Sequence, residues 1–488
     1  MSKKHWLTLS LILMLVAAVA AQCVVQQPAP APAAVEPAEP EAEAVEEEVA
    51  EAVAEEPEAE AAISGGVDWA AELGDHSGKT LRIIMIQDPW VGAFDDINEE
   101  FTELTGAEVI IDSFGYDATH EKEVLAGASQ SSEFDVVVLD SPWVGEFAEG
   151  GFVDDLTPLI EADDDVVQFD DFVPSFQTVS EWDGEIVGIP FGAYFVMLHY
   201  RTDLFEEAGL EVPKTIEEWE AAAEFFTDNP DFPDIYGTAL NNQRGAPAGQ
   251  AWFEYIWSFG GKPFESTYPG SPDPYANMTP LLNSPEGIAV TQQFVDMIKY
   301  EPVGAESFAW DERATTFSVG QTPMVNVWSV RTPGFVDPDQ SIVADKFATS
   351  LFPAVEGVDS VPPLGGWVMG INSAAEQKDL AWDYIKWFTS PEIHKKFVLE
   401  GGPPSRLSTM QDPDVVAAQP WAETLFETQG LTYAEVRPRI PEAFEIMDIV
   451  GFHVSRAIQG QVSAEEAMND ANEEVATLLK EAGYQVDE

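Results

Sequence analysis

Phe134-Asp135-Val136-Val137-Val138-Leu139-Asp140 decides the fold. The run from Val136 to Leu139 is apolar and mostly β-branched, so it reads as a short strand buried on both faces, as in a parallel sheet. Upstream, Thr80-Leu81-Arg82-Ile83-Ile84-Met85-Ile86 reads as a first strand and Val109-Ile110-Ile111 as a second. Between them Phe94 to Leu104 carries apolar residues at helical spacing, and Gly106 sits where a glycine ends a helix. A second helix is predicted over His120 to Ala128, and another opens at Val144 to Ala148. This β-α-β-α-β rhythm predicts an α/β fold with a parallel sheet. Sites in such sheets lie outside the carboxyl ends of the strands.

Beyond residue 190 the rhythm turns helical. Thr215-Ile216-Glu217-Glu218 is a capping box. Ser284-Pro285-Glu286 and Ser390-Pro391-Glu392 each offer an N-cap serine before a proline at the first helical position. Ala381 to Phe388 reads as an aromatic core helix, and Val462 to Ala482 as an amphipathic terminal one.

The 488 residues hold 22 Lys+Arg against 88 Asp+Glu, a formal charge of −66. That argues against nucleic acid as a partner and against adsorption to anionic lipid. Lys3 and Lys4 precede an apolar run from Trp6 to Ala21, which reads as an export signal over residues 1–22 and is too short to span a bilayer comfortably. Cys23 is the only cysteine, so no disulfide can form within the chain. Ala20-Ala21-Gln22-Cys23 resembles a bacterial lipobox, in which the cysteine would be lipidated; the alternative is cleavage after Ala18-Val19-Ala20 with Cys23 incidental. An Ala/Glu/Pro/Val tract comes next, with no aromatic, Lys or Arg from residue 28 to 62. It cannot bury enough apolar surface to offset its ordering entropy, so residues 23–77 are expected to be a disordered tether.

Five blocks in order carry a resemblance. Phe134 to Asp140, with Trp143 and Gly145-Glu146-Phe147-Ala148, is followed by Gly184 to Pro190 with Leu198 to Phe205. Then come Pro213 to Trp219, Gly320 to Trp328, and Leu364-Gly365-Gly366-Trp367-Val368-Met369-Gly370-Ile371. Together they resemble the family 1 extracellular solute-binding proteins, the capture subunits of ABC importers for sugars and polyols. The resemblance implies a two-lobed type II periplasmic-binding-protein fold, with hinge-linked lobes around a ligand cleft. It implies lobe 1 over 78–190 and 327–395, and lobe 2 over 191–326 and 396–488. It also implies a monomer without cofactor, exported to the outer face of the cytoplasmic membrane or the periplasm, with ABC permease subunits as partners.

Candidate ligand residues come from strand ends and from this resemblance. The Trp matching Trp367 stacks on the ligand in the sugar binders that the chain resembles, the alternative being a core Trp beside a tight turn, and Gly366 beside it lets backbone approach closely. Trp328 matches an aromatic that lines the cleft. Asp140 ends a strand, where it would face the crevice or cap the next helix. Trp143 fits cleft or core. Asp88 and Trp90 follow the first strand, and Tyr116 follows the second. Tyr194 replaces an Asp common in disaccharide binders, which disfavours a maltose-like ligand. Arg331 could reach a hydroxyl or an acid; Arg244 is expected to pair with surface acids. Asn241, Asn242 and Gln243 are loop amides within reach of a sugar. No G-x-S-x-G, H-E-x-x-H, P-loop or EF-hand motif occurs. A binding protein rather than an enzyme is therefore expected. The rival readings are a secreted glycoside hydrolase, which also pairs carboxylates with aromatics, and a binder of a non-sugar solute such as a polyamine.

Overall fold

The computed structural model describes residues 67–266, 275–419, 421–431 and 437–487. The export signal, Cys23 and the Ala/Glu/Pro tract lie outside the described residues. Within them, no helix is long and apolar enough to cross a membrane.

The parallel core is the predicted one. Strand β1 (Thr80–Ile86) pairs in parallel with β2 (Glu108–Phe114) on one side and with β3 (Val136–Asp140) on the other. Every residue of β3 is buried, as its unbroken apolar run requires. A small hairpin of β4 (Glu181–Trp182) and β5 (Glu185–Ile186) precedes the long strand β6 (Ile189–Arg201). The rest of the sheet is β7 (Met324–Trp328), β8 (Phe347–Ser350) and β9 (Leu364–Ile371). Strand order is β2-β1-β3-β9-β6-β7, with β8 also paired to β6.

Strand β6 is shared. Its first half, Ile189 to Phe195, runs antiparallel to β9. Its second half, Val196 to Arg201, runs antiparallel to β7 and β8. Strand β9 also runs antiparallel to β3, so the late strand closes onto the early parallel unit. Two chain segments, β6 and β9, thus tie the parallel unit of β1–β3 to the antiparallel region of β7 and β8.

Local signals explain the helix ends. Gly106 adopts φ 75° just past the helix Phe94–Thr105, a conformation that favours glycine. At Thr215, the Glu218 N–H donates to the threonine hydroxyl at 3.1 Å and the Glu218 carboxylate accepts from the Thr215 N–H at 3.3 Å, completing the capping box. Ser284 accepts from the Gly287 N–H at 3.1 Å. Ser390 behaves differently: it precedes the helix Pro391–Leu399 but does not cap it, and its hydroxyl donates to the Trp387 carbonyl at 2.7 Å. That carbonyl belongs to the end of the preceding helix, where acceptors lack intrahelical partners.

The expected tether runs further than the structure allows. Residues Trp69–Glu72 are helical, Trp69 and Leu73 are buried, and Glu72 accepts from the Lys386 ammonium at 3.0 Å. His76 bonds Asp383 at 2.8 Å. The Glu72–Lys386 and His76–Asp383 contacts tie this stretch to the aromatic helix Lys378–Phe388, whose Phe388 stacks on Phe94 at 4.5 Å, while Trp69 and Leu73 join the core.

Candidate ligand-binding site

The carboxyl ends of the three parallel strands open onto one place. Strand β1 runs on into Asp88 and Trp90, β2 into Tyr116, and β3 ends at Asp140 with Trp143 close behind. Sheet register brings the rest. Asp140 lies directly opposite Trp367 on β9, and Trp367 lies opposite Gly192 on β6. Tyr194 pairs with Gly365, and Val196 pairs with Trp328. Residues far apart in sequence therefore meet because these strands share a register.

The aromatic groups form a box. Trp367 meets Trp143 edge-on at 5.5 Å, Tyr116 at 6.4 Å and Trp90 at 6.5 Å. Tyr116 also contacts Trp143 at 4.9 Å and, from later in the chain, Trp310 at 5.3 Å and Phe444 at 6.2 Å. Gly366 sits at φ 149°, and a side chain there would run into the Gly192 carbonyl and the Phe176 ring. Glycine is required for β9 to lie this close to β6, which is what aims Trp367 inward.

Two arginines, Arg437 and Arg331, face the carboxylates of this region. The Asp140 carboxylate accepts from the Tyr116 hydroxyl at 2.7 Å and takes a two-pronged contact from Arg437, Nη1 to Oδ2 at 2.8 Å and Nη2 to Oδ1 at 3.0 Å. It makes no side-chain cap to the helical turn after it, which removes the capping alternative. Asp88 lies 3.5 Å from an Arg331 nitrogen, and Arg331 pairs with Asp311 at 2.9 Å. Burial pushes the Asp88 carboxyl up to about 6, against the pull of Arg331. Burial likewise raises the Tyr194 phenol well above its ordinary range, with the Asp88 charge adding to it.

Among the described residues, four buried polar atoms here make no hydrogen bond: Asp88 Oδ1, whose facing Arg331 nitrogen is 3.5 Å away, Trp90 Nε1, Trp143 Nε1 and Tyr194 OH. Their residues are at most 8% exposed. Buried polar groups are almost always bonded, so these atoms are available to a ligand or water.

All ten residues expected around the ligand, Asp88, Trp90, Tyr116, Asp140, Trp143, Tyr194, Trp328, Arg331, Gly366 and Trp367, fall within this one region. Trp328 is 7% exposed and stands over Gly365, where a Cβ would be 3.0 Å from its ring. Arg244 is elsewhere and does not ion-pair with surface acids: its guanidinium lies 4.4 Å from the Phe452 ring centre. Asn242 is committed to Glu301 at 2.9 Å, whereas Asn241 is fully buried with both amide atoms unbonded. Sequence reasoning missed Arg437, Trp310 and Phe444. Arg437-Pro438-Arg439 offered a signal: two of only 22 basic residues flank a proline in a very acidic chain. Among the described residues, no group of three His, Cys, Asp or Glu is arranged to hold a metal ion.

A strand shared between two sheet regions and a cluster of aromatic and charged side chains at the strand ends are the features of a two-lobed binding protein of type II architecture. The family comparison agrees. Residues 87–395, well over half the chain, match the bacterial extracellular solute-binding protein family, and the chain belongs to that family. It is similar to a solute-binding protein of Agrobacterium radiobacter K84 solved in complex with ribitol, at 32% identity and TM-score 0.77, covering 83% of this chain and all of the other. It is 26% identical to the mannitol-binding protein of Pseudomonas aeruginosa over 377 residues, 73% of this chain and 83% of that protein. It is also 26% identical to the probable amino-acid ABC transporter periplasmic-binding protein y4oP of Sinorhizobium fredii over 427 residues, 86% of this chain and 93% of that one.

Proposed function

We propose that the chain captures a neutral polyhydroxy solute, a sugar or an acyclic polyol, and hands it to the permease of an ABC importer. The four unbonded buried groups carry this reading. Asp88 Oδ1 can only accept, the two indole N–H groups can only donate, and Tyr194 can do either. A hydroxyl both donates and accepts, so a run of hydroxyls on a carbon chain satisfies all four, while its C–H faces lie on the Trp box. The ribitol and mannitol ligands of similar proteins support the same class.

Charge argues against the alternatives. A polyamine needs uncompensated carboxylates, and here Asp140 is held by Arg437. A glycosidase needs a carboxyl group free to donate a proton beside a second that attacks or activates water. Asp140, with Arg437 across both oxygens and Tyr116 on one, is committed. We therefore read the protein as non-catalytic, and any bound solute should be recovered unchanged.

We assign residues 78–190 and 327–395 to one lobe and 191–326 and 396–488 to the other, with β6 and β7 as crossings, and we take the protein to act as a monomer. We also propose that Cys23 carries a lipid anchor, with the acidic tract as a stalk at the outer membrane face. One acyl chain holds a protein only marginally, so a stable anchor needs more than one. Intact mass of membrane-extracted protein tests this; an unmodified chain starting at Ala21 refutes the anchor.

A thermal-shift panel of ribitol, D-mannitol, erythritol, glucose, maltose, spermidine and amino acids tests the ligand class. A specific binder at about 100 times its Kd stabilises by about 2.7 kcal/mol. Stabilisation by a polyol or sugar is expected; stabilisation by spermidine or an amino acid alone overturns the reading.

A further inference from the structure

We propose that Arg437 is the clasp of the cleft: it positions Asp140 for the ligand and holds the two halves of the protein closed. The proposal rests on the solute-binding function. A file of buried polar groups runs through the molecule. The Tyr116 hydroxyl donates to Asp140, and Arg437 grips both Asp140 oxygens and donates to the Ser141 hydroxyl at 3.1 Å. On its far side Arg437 reaches Gln250 Oε1 at 3.4 Å. The Gln250 amide donates to Glu254 at 3.0 Å, and Glu254 accepts from Arg313 at 3.1 Å. All of these charged and amide side chains are buried.

The file joins separate parts of the fold. Asp140 ends β3 of the parallel unit. Gln250 and Glu254 lie on the helix Ala246–Ile256, and Arg313 on the helix Trp310–Ser318, both on the far side of the β6 crossing. Arg437 stands between them, 297 residues from Asp140 in sequence. It also lies against β9, where a Cβ on Gly365 would be 3.3 Å from its Nη2, one residue before Gly366-Trp367. The same guanidinium therefore touches the Asp140 carboxylate, the strand that carries Trp367 and the helix Ala246–Ile256.

Chemistry explains why an arginine is used. Its planar fork matches a carboxylate in two contacts and leaves further N–H groups for Ser141 and Gln250. A buried ion pair roughly breaks even against its desolvation, but removing one partner strands the other charge. The intact pair specifies the geometry of the closed form, and truncating Arg437 would leave Asp140 buried without its countercharge and so disfavour that form. Because Arg437 joins the end of β3 to the helix Ala246–Ile256 across the crossing, its loss should act on solute release and leave encounter nearly untouched.

The test uses the mature chain and its Arg437→Gln and Arg437→Lys variants. Stopped-flow tryptophan fluorescence tracks ribitol or D-mannitol, whichever binds. Arg437→Gln should raise the dissociation rate roughly 30-fold or more, the scale for truncating a buried charge pair. The association rate should stay within about threefold, and Arg437→Lys should recover part of the loss. An unchanged dissociation rate, or equal effects on both rates, overturns the proposal. Small-angle X-ray scattering of the ligand-free proteins gives a second, solute-independent arm. A larger radius of gyration is expected for Arg437→Gln than for the parent, and an equal radius overturns the clasp. If no sugar or polyol binds, the solute class is wrong, and the scattering arm still decides the clasp.

Discussion

The Trp367 indole meets the Trp143 indole edge to face, with ring centres 5.5 Å apart and planes at 86°. One ring is delivered by antiparallel register with β3, the other by the turn just after β3, so a single strand end sets both. Edge-to-face contact suits the ring quadrupoles and fixes the angle between two walls of the cleft.

This burial changes how the tryptophans should be tested. Replacing Trp367 by Ala would empty a core-like site at a cost of about 3–5 kcal/mol, so lost binding would be hard to separate from lost fold. Trp90→Phe and Trp143→Phe keep an aromatic ring and remove the indole N–H, which makes no hydrogen bond among the described residues, together with part of the bicycle. Stability should fall, but by less than the about 3–5 kcal/mol of truncation to Ala. Affinity for the polyol or sugar should fall by about 0.5–1.5 kcal/mol per lost hydrogen bond. Titration calorimetry beside thermal unfolding measures both. Unaltered affinity in both variants would place these N–H groups outside the ligand contacts.

Gly366→Ala should be severe. The backbone sits at φ 149°, and the new methyl would collide with the Gly192 carbonyl and the Phe176 ring, neither of which can move without opening the β6–β9 pairing. A loss of about 1–3 kcal/mol is expected, with Trp367 displaced. The check is the melting temperature together with solute affinity; an alanine variant that matches the parent in both would show that β9 can shift at no cost.

Much of the fold was legible in sequence because it depends on short-range signals. The unbroken apolar run of β3, the Gly106 stop and the Thr215 capping box are local patterns with local causes. The candidate cleft was legible for a related reason: strand ends fix where Asp88, Tyr116 and Asp140 must lie once the sheet is parallel. Arg437, Trp310 and Phe444 were not, because they reach the cleft from segments whose position depends on the packing of distant helices. Ser390 misled because a serine before Pro-Glu looks the same whether its hydroxyl turns forward to cap one helix or back to close another. Trp69 was hidden in the shadow of the acidic tract, where composition outweighed one aromatic.

Salt should stabilise the folded protein. With 88 acids and 22 bases, most carboxylates cannot find a cationic partner, and their mutual repulsion favours expansion. At about 0.1 M ionic strength charges beyond ~10 Å are screened, so the melting temperature should rise between low and moderate sodium chloride. Each kcal/mol gained corresponds to roughly 2–4 °C, or less, for a chain of this size. A flat or falling response in scanning calorimetry would mean that the acids are spaced widely enough not to repel.

Asp88 gives a pH dependence whose sign can be worked out. Burial raises its folded-state pKa from 3.8 to about 6, with Arg331 opposing and Asp311 reinforcing the shift, and with Tyr194 and Trp90 as its other polar neighbours. The folded protein therefore holds this proton more tightly than the unfolded chain does. That contribution is fully present below about pH 4 and is lost as pH rises through about 6, because the ionised carboxylate is buried with Oδ1 unbonded. Asp88→Asn removes the charge and the dependence together. Relative to the parent, the variant should gain stability at about pH 8, by up to about 3 kcal/mol, and gain little at about pH 4. Other buried groups, such as His199 with its pKa pushed down to about 3 and Glu301 with its pushed up to about 7, titrate in both proteins and cancel in the difference. Denaturant unfolding of both proteins from about pH 4 to about pH 8 supplies the comparison. A difference that does not change with pH would show that the Asp88 carboxyl is held no differently in the fold than in water.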